Sequence, residues 1–359
     1  MDIPSKILIN PKNSLKFLEI SGKAFDRGFD YGEKHKEYIA RFIDTFYLEF
    51  KKGNISKAQA LSYANKHIPC IADYSPEIME EMRGIADGSE KKLEELVMVA
   101  LHEERMAFTD KCTALGATGK ATVGGETFVG QNWDSATNVW WDGDMPSLLK
   151  INRGKKPDVL AYIYPGLQSA AGINSEGICI SWNSVPRVEL KVGVPTYVIV
   201  SELLRQSTIG DALDSIIRAD KAGCFNFMIG DESEVYDVEA TPSNLDIRYV
   251  ETCLGHANHF VSEKIAKYQD MSKIKSSTIL RHNRMNRMLN DKFGEIELKD
   301  CMNMFRDHTG YPFCICSHPE PEREKNSITY ASWVQIPKRR EWWISHGPPC
   351  HNEFKKYSL

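Results

Sequence analysis

The chain has 359 residues, 42% of them hydrophobic, so it is long enough to bury a large core in one or two domains. Its 45 basic and 49 acidic residues give a net charge of -4 without a long block of one sign, which argues against nucleic acid as a partner. No stretch approaches the roughly 20 apolar residues of a membrane span, and no signal peptide is legible, so we expect a cytoplasmic protein without a membrane partner. Nine cysteines, an odd number, predict reduced thiols.

The first third of the chain is predicted to be helical, because apolar residues recur at helical spacing from about residue 24 to residue 109. Ser75 followed by Pro76 predicts the start of one helix, and Gly88 lies where that helix should stop. A further helix is expected to run from about Leu93 toward Phe108. Strand patterns begin only after this region.

Strands dominate the remainder of the chain. Cys112 begins a run of residues that turns at Gly124-Gly125 and returns as a second strand, which is typical of a hairpin. Further strand patterns lie at 161–164, 172–183, 225–240, 328–336 and 341–345, and helical patterns lie near 196–206, 210–219, 276–291 and 298–306. Strands grouped between pairs of helices favour an antiparallel sheet layered with helices over a parallel doubly wound sheet. No glycine-rich phosphate loop indicates a nucleotide site.

Cys112 is the best candidate for a nucleophile. It opens a strand, and a hairpin returns its far end beside its start, so Asn132 and Asp134 can lie near its thiol. Acyl transfer needs a nucleophile together with a base, donors for the oxyanion and an orienting group. From its position alone, the alternative is that Cys112 is a small buried hydrophobic residue without a chemical role.

Short motifs stand in a fixed order around this cysteine. Cys112-Thr113 is followed by Gly130-Gln-Asn-Trp-Asp134, and the others are Ser21-Gly-Lys-Ala-Phe-Asp-Arg-Gly28-Phe-Asp-Tyr-Gly32, Glu81-Met-Arg-Gly-Ile-Ala-Asp-Gly88, Gly172-Ile-Asn174-Ser-Glu-Gly177 through Asn183, Gly255-His-Ala-Asn258-His259 and Gly347-Pro-Pro-Cys350. Over nearly the whole chain this set resembles the isopenicillin-N acyltransferase family of N-terminal-nucleophile hydrolases. That family, also described as acyl-coenzyme A:6-aminopenicillanic acid acyltransferases, extends to β-alanyl-amine hydrolases and, more distantly, to bile-salt-hydrolase-like amidases.

The resemblance implies an α+β fold, a four-layer αββα sandwich with a helical N-terminal third. It also implies that the thiol of Cys112 cuts the bond after Lys111, giving chains 1–111 and 112–359 that stay associated. The freed α-amine, with an unperturbed pKa near 7.7–8.0, can then act as general base without a histidine or a cofactor. The implied substrate is a small molecule with a linear N-acyl amide, cleaved through a thioester on Cys112.

Site roles also follow from the resemblance. Asp134 would orient the amine of Cys112, and Asn258 would donate its side-chain amide to the oxyanion. Asn183 is an additional oxyanion candidate, with a turn residue as its alternative, and Thr113 is expected to support the strand. Trp133, with Trp140-Trp141, is expected to line the acyl pocket.

Two departures from the family pattern bear on mechanism. Ser317 stands where the family commonly has an arginine, and a hydroxyl cannot replace a permanent charge, so Arg323 or Arg27 is expected to fill that space unless the substrate differs. Lys111 stands where glycine is frequent, and its bulk is expected to strain or slow the cleavage.

Three further interpretations stay open. Cys314-x-Cys316-x-His318 has the residue types of a zinc site but no second ligand pair nearby in the sequence, and His256 and His259 are accounted for by the family motif, so no metal site is predicted. The same site could use acyl-coenzyme A and an acceptor amine, which would make the protein an acyltransferase. A catalytically silent binding protein of the same fold is the remaining hypothesis.

Overall fold

The computed structural model describes residues 15–105, 112–136, 145–319 and 327–359, and within them two β-sheets stack face to face. Strands and helices are numbered in chain order. The eight-stranded sheet has the spatial order β1 (Lys16–Ser21), β4 (Ser147–Asn152), β5 (Val159–Ile163), β6 (Ala171–Asn174), β7 (Cys179–Ser184), β8 (Phe225–Gly230), β9 (Val235–Ala240), β10 (Leu245–Tyr249). The six-stranded sheet has the order β11 (Cys253–His256), β2 (Thr113–Gly119), β3 (Gly125–Ala136), β12 (Ser327–Ile336), β13 (Glu341–His346), β14 (Lys355–Ser358).

Helices cover the two outer faces. The N-terminal helices are α1 (Ala24–Lys34), α2 (Lys36–Lys52), α3 (Lys57–Asn65), α4 (Ile68–Tyr74), α5 (Pro76–Ser89), α6 (Leu93–Ala100) and α7 (His102–Arg105), and the later ones are α8 (Thr196–Leu203), α9 (Ile209–Ile217), α10 (Glu263–Ala266), α11 (Ser276–Asp291) and α12 (Leu298–Phe305). The N-terminal group with α8 and α9 packs on the eight-stranded sheet, whereas α11 and α12 pack on the six-stranded sheet. The expected αββα layering is therefore confirmed.

The predicted secondary structure is largely confirmed. The Ser75 hydroxyl caps α5 by accepting a hydrogen bond from the amide of Ile78, and the hairpin at Gly124-Gly125 joins β2 to β3. The helix expected from Leu93 instead divides into α6 and α7 around Leu101. The sheets are antiparallel as expected, except that β1, which was not predicted, pairs in parallel with β4.

The glycines of the two N-terminal motifs lie where α1 and α5 cross. A Cβ on Gly28 would approach the carbonyl oxygen of Glu81 to 2.0 Å, and a Cβ on Gly84 would approach that of Phe25 to 2.1 Å. Gly32 and Gly88 meet the facing helix in the same way. These motifs therefore serve close helix packing, since any side chain would push the two backbones apart.

Arg27 does not reach the six-stranded sheet. Its guanidinium is buried and forms ion pairs with Glu77 and Glu81, at 2.9 and 2.8 Å. Arg205 pairs with the other oxygen of Glu81 at 2.8 Å, and Arg153 pairs with Glu77 at 3.0 Å. Arg27 thus belongs to a charge network around Glu77 and Glu81 of α5 and is not the replacement for the missing family arginine.

Two sequence-level expectations can be compared with the described chain. No helix in the described residues combines the length and apolar composition that crossing a bilayer requires. No disulfide joins the nine cysteines, all of which lie in the described part of the chain. The second finding agrees with the predicted reduced thiols.

Candidate active site

Three neighbouring strands bring the predicted catalytic residues to one end of the six-stranded sheet. Cys112 immediately precedes β2, whose first residue, Thr113, pairs with Asn132 on β3. Asp134 follows two residues later on β3, and Asn258 lies two residues beyond the end of β11, the other neighbour of β2. Because antiparallel neighbours alternate in direction, the start of β2 must meet the ends of both β3 and β11. The hairpin argument for Cys112 and Asp134 therefore holds in three dimensions.

The Cys112 thiol is buried, with 3% of the residue exposed, and its Sγ lies 3.7 Å from the backbone oxygen of Asp134. The carboxylate of Asp134 is fully buried as well, and its Oδ1 accepts a 2.6 Å hydrogen bond from the hydroxyl of Thr329 on β12. Thr329 is the residue paired with Asp134 across the two strands. Its hydroxyl thus fixes one carboxylate oxygen of Asp134.

Arg281 of α11 is the cation of this site, and the sequence analysis did not identify it. Its Nη1 donates to the backbone oxygen of Cys112 at 2.5 Å and to Oγ1 of Thr113 at 2.7 Å, while Nη2 donates to Oδ1 of Asn258 at 2.8 Å. Only 1% of the residue is exposed. Burial lowers the pKa of Arg281, and the nearby Asp134 and Cys112 oppose that shift. A permanent positive charge thus lies beside Cys112, although Ser317 carries none.

Ser317 itself is part of the support behind Asp134. Its amide donates to the hydroxyl oxygen of Thr329 at 3.0 Å, and its carbonyl accepts from the amide of Thr329 at 3.1 Å. Arg323, the other residue expected to supply a charge, lies outside the described residues. The segment around Ser317 is thus linked to Asp134 by hydrogen bonds through Thr329.

Asn258 is held at both ends of its side-chain amide. Its Nδ2 donates to the backbone oxygen of Ser184 at 2.8 Å, and its Oδ1 accepts from Arg281. A primary amide carries two N–H donors, so this arrangement leaves one N–H that can be directed toward an oxyanion. Asn183, next to Ser184, donates instead to Oδ1 of Asn226 at 3.0 Å within the eight-stranded sheet.

Thr113 and Trp133 contact neighbouring side chains of the protein, through a hydrogen bond and through ring packing respectively. The Thr113 hydroxyl accepts from Arg281, which agrees with a supporting position at the start of β2. The ring of Trp133 lies between the sheets, with centroids of Trp182 and Trp333 at 5.2 and 5.8 Å and those of Tyr162 and Tyr164 slightly farther. Trp133 thus packs within an aromatic cluster between the two sheets. Trp140 and Trp141 lie outside the described residues.

Lys111, on the other side of the expected cleavage bond, also lies outside the described residues. The last described segment before it carries a buried carboxyl group, Glu104, whose Oε1 accepts from the amide and the hydroxyl of Thr196, both at 2.7 Å. Burial raises the pKa of Glu104 to about 7, although the two hydrogen bonds from Thr196 partly oppose the shift. A group that titrates near neutral pH therefore lies at the end of the N-terminal helices.

Two groups of side chains in the described residues bring together potential metal ligands within 4.8 Å. In the first group, Asp237, Glu239 and His256, the two carboxylates form ion pairs with Arg248, and Nε2 of His256 lies 2.8 Å from Glu239. Burial opposes a charged His256, but Asp237 and Glu239 outweigh it and raise the pKa of this histidine. Cationic side chains thus already balance these acids. His259 stacks near His256 but is not a member of this group, and its Nδ1 lies 2.9 Å from the hydroxyl of Thr278.

The second group contains His308, Cys316, His318 and Cys350. The sequence analysis found no second ligand pair for Cys316 and His318. In the fold, His308 of the same loop and Cys350 of the loop between β13 and β14 supply that pair. Cys314 is not a member of the group, and its thiol donates to the carbonyl of Cys316 at 3.0 Å. The expectation of no metal site was based on ligand spacing along the sequence, which cannot show that Cys350 lies beside Cys316 and His318.

A family model described as acyl-coenzyme A:6-aminopenicillanic acid acyl-transferase matches residues 122–350, a range that includes Asp134, Asn258 and Arg281 and begins after Cys112. Among curated proteins, the chain is similar to the 40 kDa form of acyl-coenzyme A:6-aminopenicillanic-acid-acyltransferase from Emericella nidulans. The two are 25% identical over 319 residues, which cover 86% of each chain.

Among solved structures, the chain is similar to a variant of conjugated bile acid hydrolase from Clostridium perfringens, with a TM-score of 0.48 and 16% identity over 69% of this chain and 97% of that one. It is also similar to penicillin V acylase from Agrobacterium tumefaciens, with a TM-score of 0.46 and 11% identity over 66% of this chain and 83% of that one.

Proposed function

Since the chain belongs to the acyl-coenzyme A:6-aminopenicillanic acid acyl-transferase family, we propose that it is a self-processing amidohydrolase with Cys112 as its nucleophile. The substrate is a small molecule with a linear N-acyl amide. One observation carries the proposal: the ends of three adjoining strands bring Cys112, Asp134 and Asn258 together around the buried guanidinium of Arg281.

Processing comes first in this proposal. The thiol of Cys112 attacks the carbonyl carbon of Lys111, the C–N bond breaks as the C–S bond forms, and the nitrogen of Cys112 becomes a free α-amine. Water then hydrolyses the thioester and leaves a carboxylate on Lys111. The Arg281 hydrogen bond to the backbone oxygen of Cys112 holds the residue in place during these steps.

Catalysis reuses the same atoms. The new α-amine, with an ordinary pKa near 7.7–8.0, takes the proton of the Cys112 thiol as the sulfur attacks the substrate carbonyl. Asp134, fixed by Thr329, orients the amine, and the second N–H of Asn258 stabilises the oxyanion. The leaving amine receives the proton, and water resolves the thioester to release a carboxylic acid.

An acyltransferase is the second candidate, and the name of the Emericella nidulans relative favours it. In that case the acyl group enters from acyl-coenzyme A and an acceptor amine, rather than water, attacks the thioester on Cys112. Incubation with an acyl thioester and with an amide substrate, each with and without acceptor amines, separates the two. Carboxylic acid release that is independent of the acceptor indicates a hydrolase, whereas formation of a new amide that requires the amine indicates a transferase.

The deciding experiment is intact mass under denaturing conditions for the purified protein and for Cys112→Ala. The proposal predicts two chains, 1–111 and 112–359, for the wild type and one chain for the variant. Cys112 should also be labelled rapidly and saturably by a thiol-directed acyl probe. An uncut wild-type chain with an unreactive Cys112 would overturn the proposal and leave a silent binding protein of this fold.

A further inference from the structure

Four side chains from two loops converge beside β12. His308, Cys316 and His318 lie in the loop between α12 and β12, and Cys350 lies in the loop between β13 and β14. Cys316 and His318 are buried, with 0% and 3% of each residue exposed, and the other two are half-buried. Two thiols and two imidazoles therefore face one another at the edge of the protein interior.

Their ligand atoms crowd around a common point. Nε2 of His318 lies 3.1 Å from Nε2 of His308, 3.4 Å from Sγ of Cys316 and 3.3 Å from Sγ of Cys350. The two sulfurs are 3.6 Å apart. One imidazole nitrogen either donates a single proton or accepts through a single lone pair, so hydrogen bonding cannot account for three such contacts. A cation between the four atoms would account for all of them.

We propose that His308, Cys316, His318 and Cys350 form a tetrahedral zinc site. With Zn–S near 2.3 Å and Zn–N near 2.0–2.1 Å, an ideal tetrahedron has edges between ligand atoms of about 3.3–3.8 Å. The distances found here, 3.1–3.6 Å, lie close to that range. Two thiolates with two imidazoles are a ligand set that suits zinc, and four protein ligands leave no open position for substrate.

The loops that carry the ligands are already fixed by other contacts. Nε of Arg306 donates to the backbone oxygen of Pro349, next to Cys350, at 2.9 Å. The carboxylate of Asp307, next to His308, accepts hydrogen bonds from Nε and Nη2 of Arg284. The backbone oxygen of Asp307 accepts a hydrogen bond from the amide of Cys316 at 3.0 Å. The site is therefore preorganised, which is a condition for tight binding.

The zinc would act on the catalytic centre indirectly. Ser317 lies between two of the ligands and is paired with Thr329, whose hydroxyl fixes Asp134. Asn132 on the same strand as Asp134 donates to the carbonyl oxygens of Phe305 and Ile315, which hold the ligand loop against β3. As a structural ion, the metal would thus fasten the α12–β12 and β13–β14 loops to the strand that carries Asp134.

The test is the zinc content of the full-length chain, purified in reducing buffer from zinc-supplemented medium. The zinc is measured by inductively coupled plasma mass spectrometry. The wild type and Cys112→Ala should both carry about one zinc per chain, because the nucleophile is not a ligand. His308→Gln and Cys350→Ser change the two half-buried ligands, which limits damage to folding, and each should weaken zinc binding more than about tenfold. Cys253→Ser and His351→Gln, which alter residues outside the ligand set, should retain the wild-type content.

Cobalt substitution supplies a second readout. Replacement of zinc by Co²⁺ should give the intense visible bands of a tetrahedral ion together with a thiolate charge-transfer band, and Cys350→Ser should weaken the latter. Circular dichroism confirms that each variant is folded. A folded wild-type chain that binds neither ion, a metal content unchanged in His308→Gln and Cys350→Ser, or a Cys316–Cys350 disulfide that persists in reducing buffer would each overturn the zinc site.

Discussion

Nη2 of Arg281 lies 2.8 Å from Oδ1 of Asn258, so a helix of the outer layer and a residue just past a strand are joined inside the proposed oxyanion site. Nη1 of the same guanidinium donates to the backbone oxygen of Cys112. A planar fork of fixed donors can hold both partners at once, which a flexible ammonium group cannot do. The relative position of Cys112 and Asn258, the proposed nucleophile and oxyanion donor, thus depends on one side chain.

Arg281→Lys should therefore slow acylation of Cys112 by a thioester probe about ten- to a hundredfold, because it removes a charge-assisted hydrogen bond while keeping the charge. Arg281→Gln removes the charge too, and should in addition shift the pH dependence of acylation to higher pH. Arg287→Lys on the exposed side of the same helix is the matched control and should behave as the wild type. Equal rates in Arg281→Lys and wild type would contradict this assignment.

The hydroxyl of Thr329 is expected to position Asp134. Thr329→Val keeps the shape but removes the donor to Oδ1 of Asp134 and the acceptor for the amide of Ser317. Self-cleavage and Cys112 acylation should slow about ten- to a hundredfold, as for loss of one hydrogen bond to a charged group. Thr329→Ser keeps the hydroxyl and should recover most of the rate; failure of that recovery would show that the methyl packing matters instead.

Stability should depend on pH through Glu104. Its pKa in the folded chain is about 7 against an ordinary value of 4.5, so between these values the folded state binds more protons than the unfolded state. The free energy of unfolding must then fall as pH rises from about 4.5 to about 7. Glu104→Gln removes this loss, and its stability relative to the wild type should rise by on the order of 3 kcal/mol between pH 4 and pH 8.

Urea unfolding of Glu104→Gln measures this effect best in the Cys112→Ala background, where a single uncut chain unfolds. Glu33→Gln, at an exposed position of α1, is the control and should leave the pH slope unchanged. If Glu104→Gln has the same slope as its parent, the buried carboxyl does not change its protonation in this range.

Close packing of α1 on α5 should make Gly84 intolerant of a methyl group. A Cβ there would lie 2.1 Å from the carbonyl oxygen of Phe25, a contact with backbone that cannot move aside. Gly84→Ala should lower the free energy of unfolding by about 3 kcal/mol or more, in the range of severe overpacking. Gly53→Ala, whose Cβ would have no neighbour closer than 3.5 Å, should change stability by less than about 0.5 kcal/mol in the same denaturation assay.

Local patterns in the sequence were sufficient for much of the fold. The Ser75 cap and the Gly124-Gly125 turn depend on residues within a few positions, and both are present as predicted. The edge strand β1 was missed because Ile20 is its sole buried residue, so it shows no strand periodicity. Apolar alternation is the signal of a half-buried strand, and an edge strand with one buried side chain lacks it.

The residues of the proposed catalytic cluster also differ in how far the sequence predicts them. Cys112 and Asp134 could be placed together because one hairpin joins them, whereas Arg281 is 168 positions from Thr113 and carries no local pattern that marks it. Cys350 was likewise separated from His308, Cys316 and His318 by β12 and β13. Contacts that only tertiary packing creates cannot be derived from spacing along the chain.

The parallel pairing of β1 with β4 has a kinetic consequence if the chain is cut after Lys111. The chain before the cut would then supply β1 and the N-terminal helices to a sheet whose other strands belong to the second chain. Phe42 of the first chain would stack on Tyr164 of the second. Renaturation of the mature molecule would be a second-order reaction, faster at higher protein concentration, whereas uncut Cys112→Ala would refold at a rate independent of concentration. After the cut, the two parts of the fold would belong to separate chains, which would have to associate before the mature protein could refold.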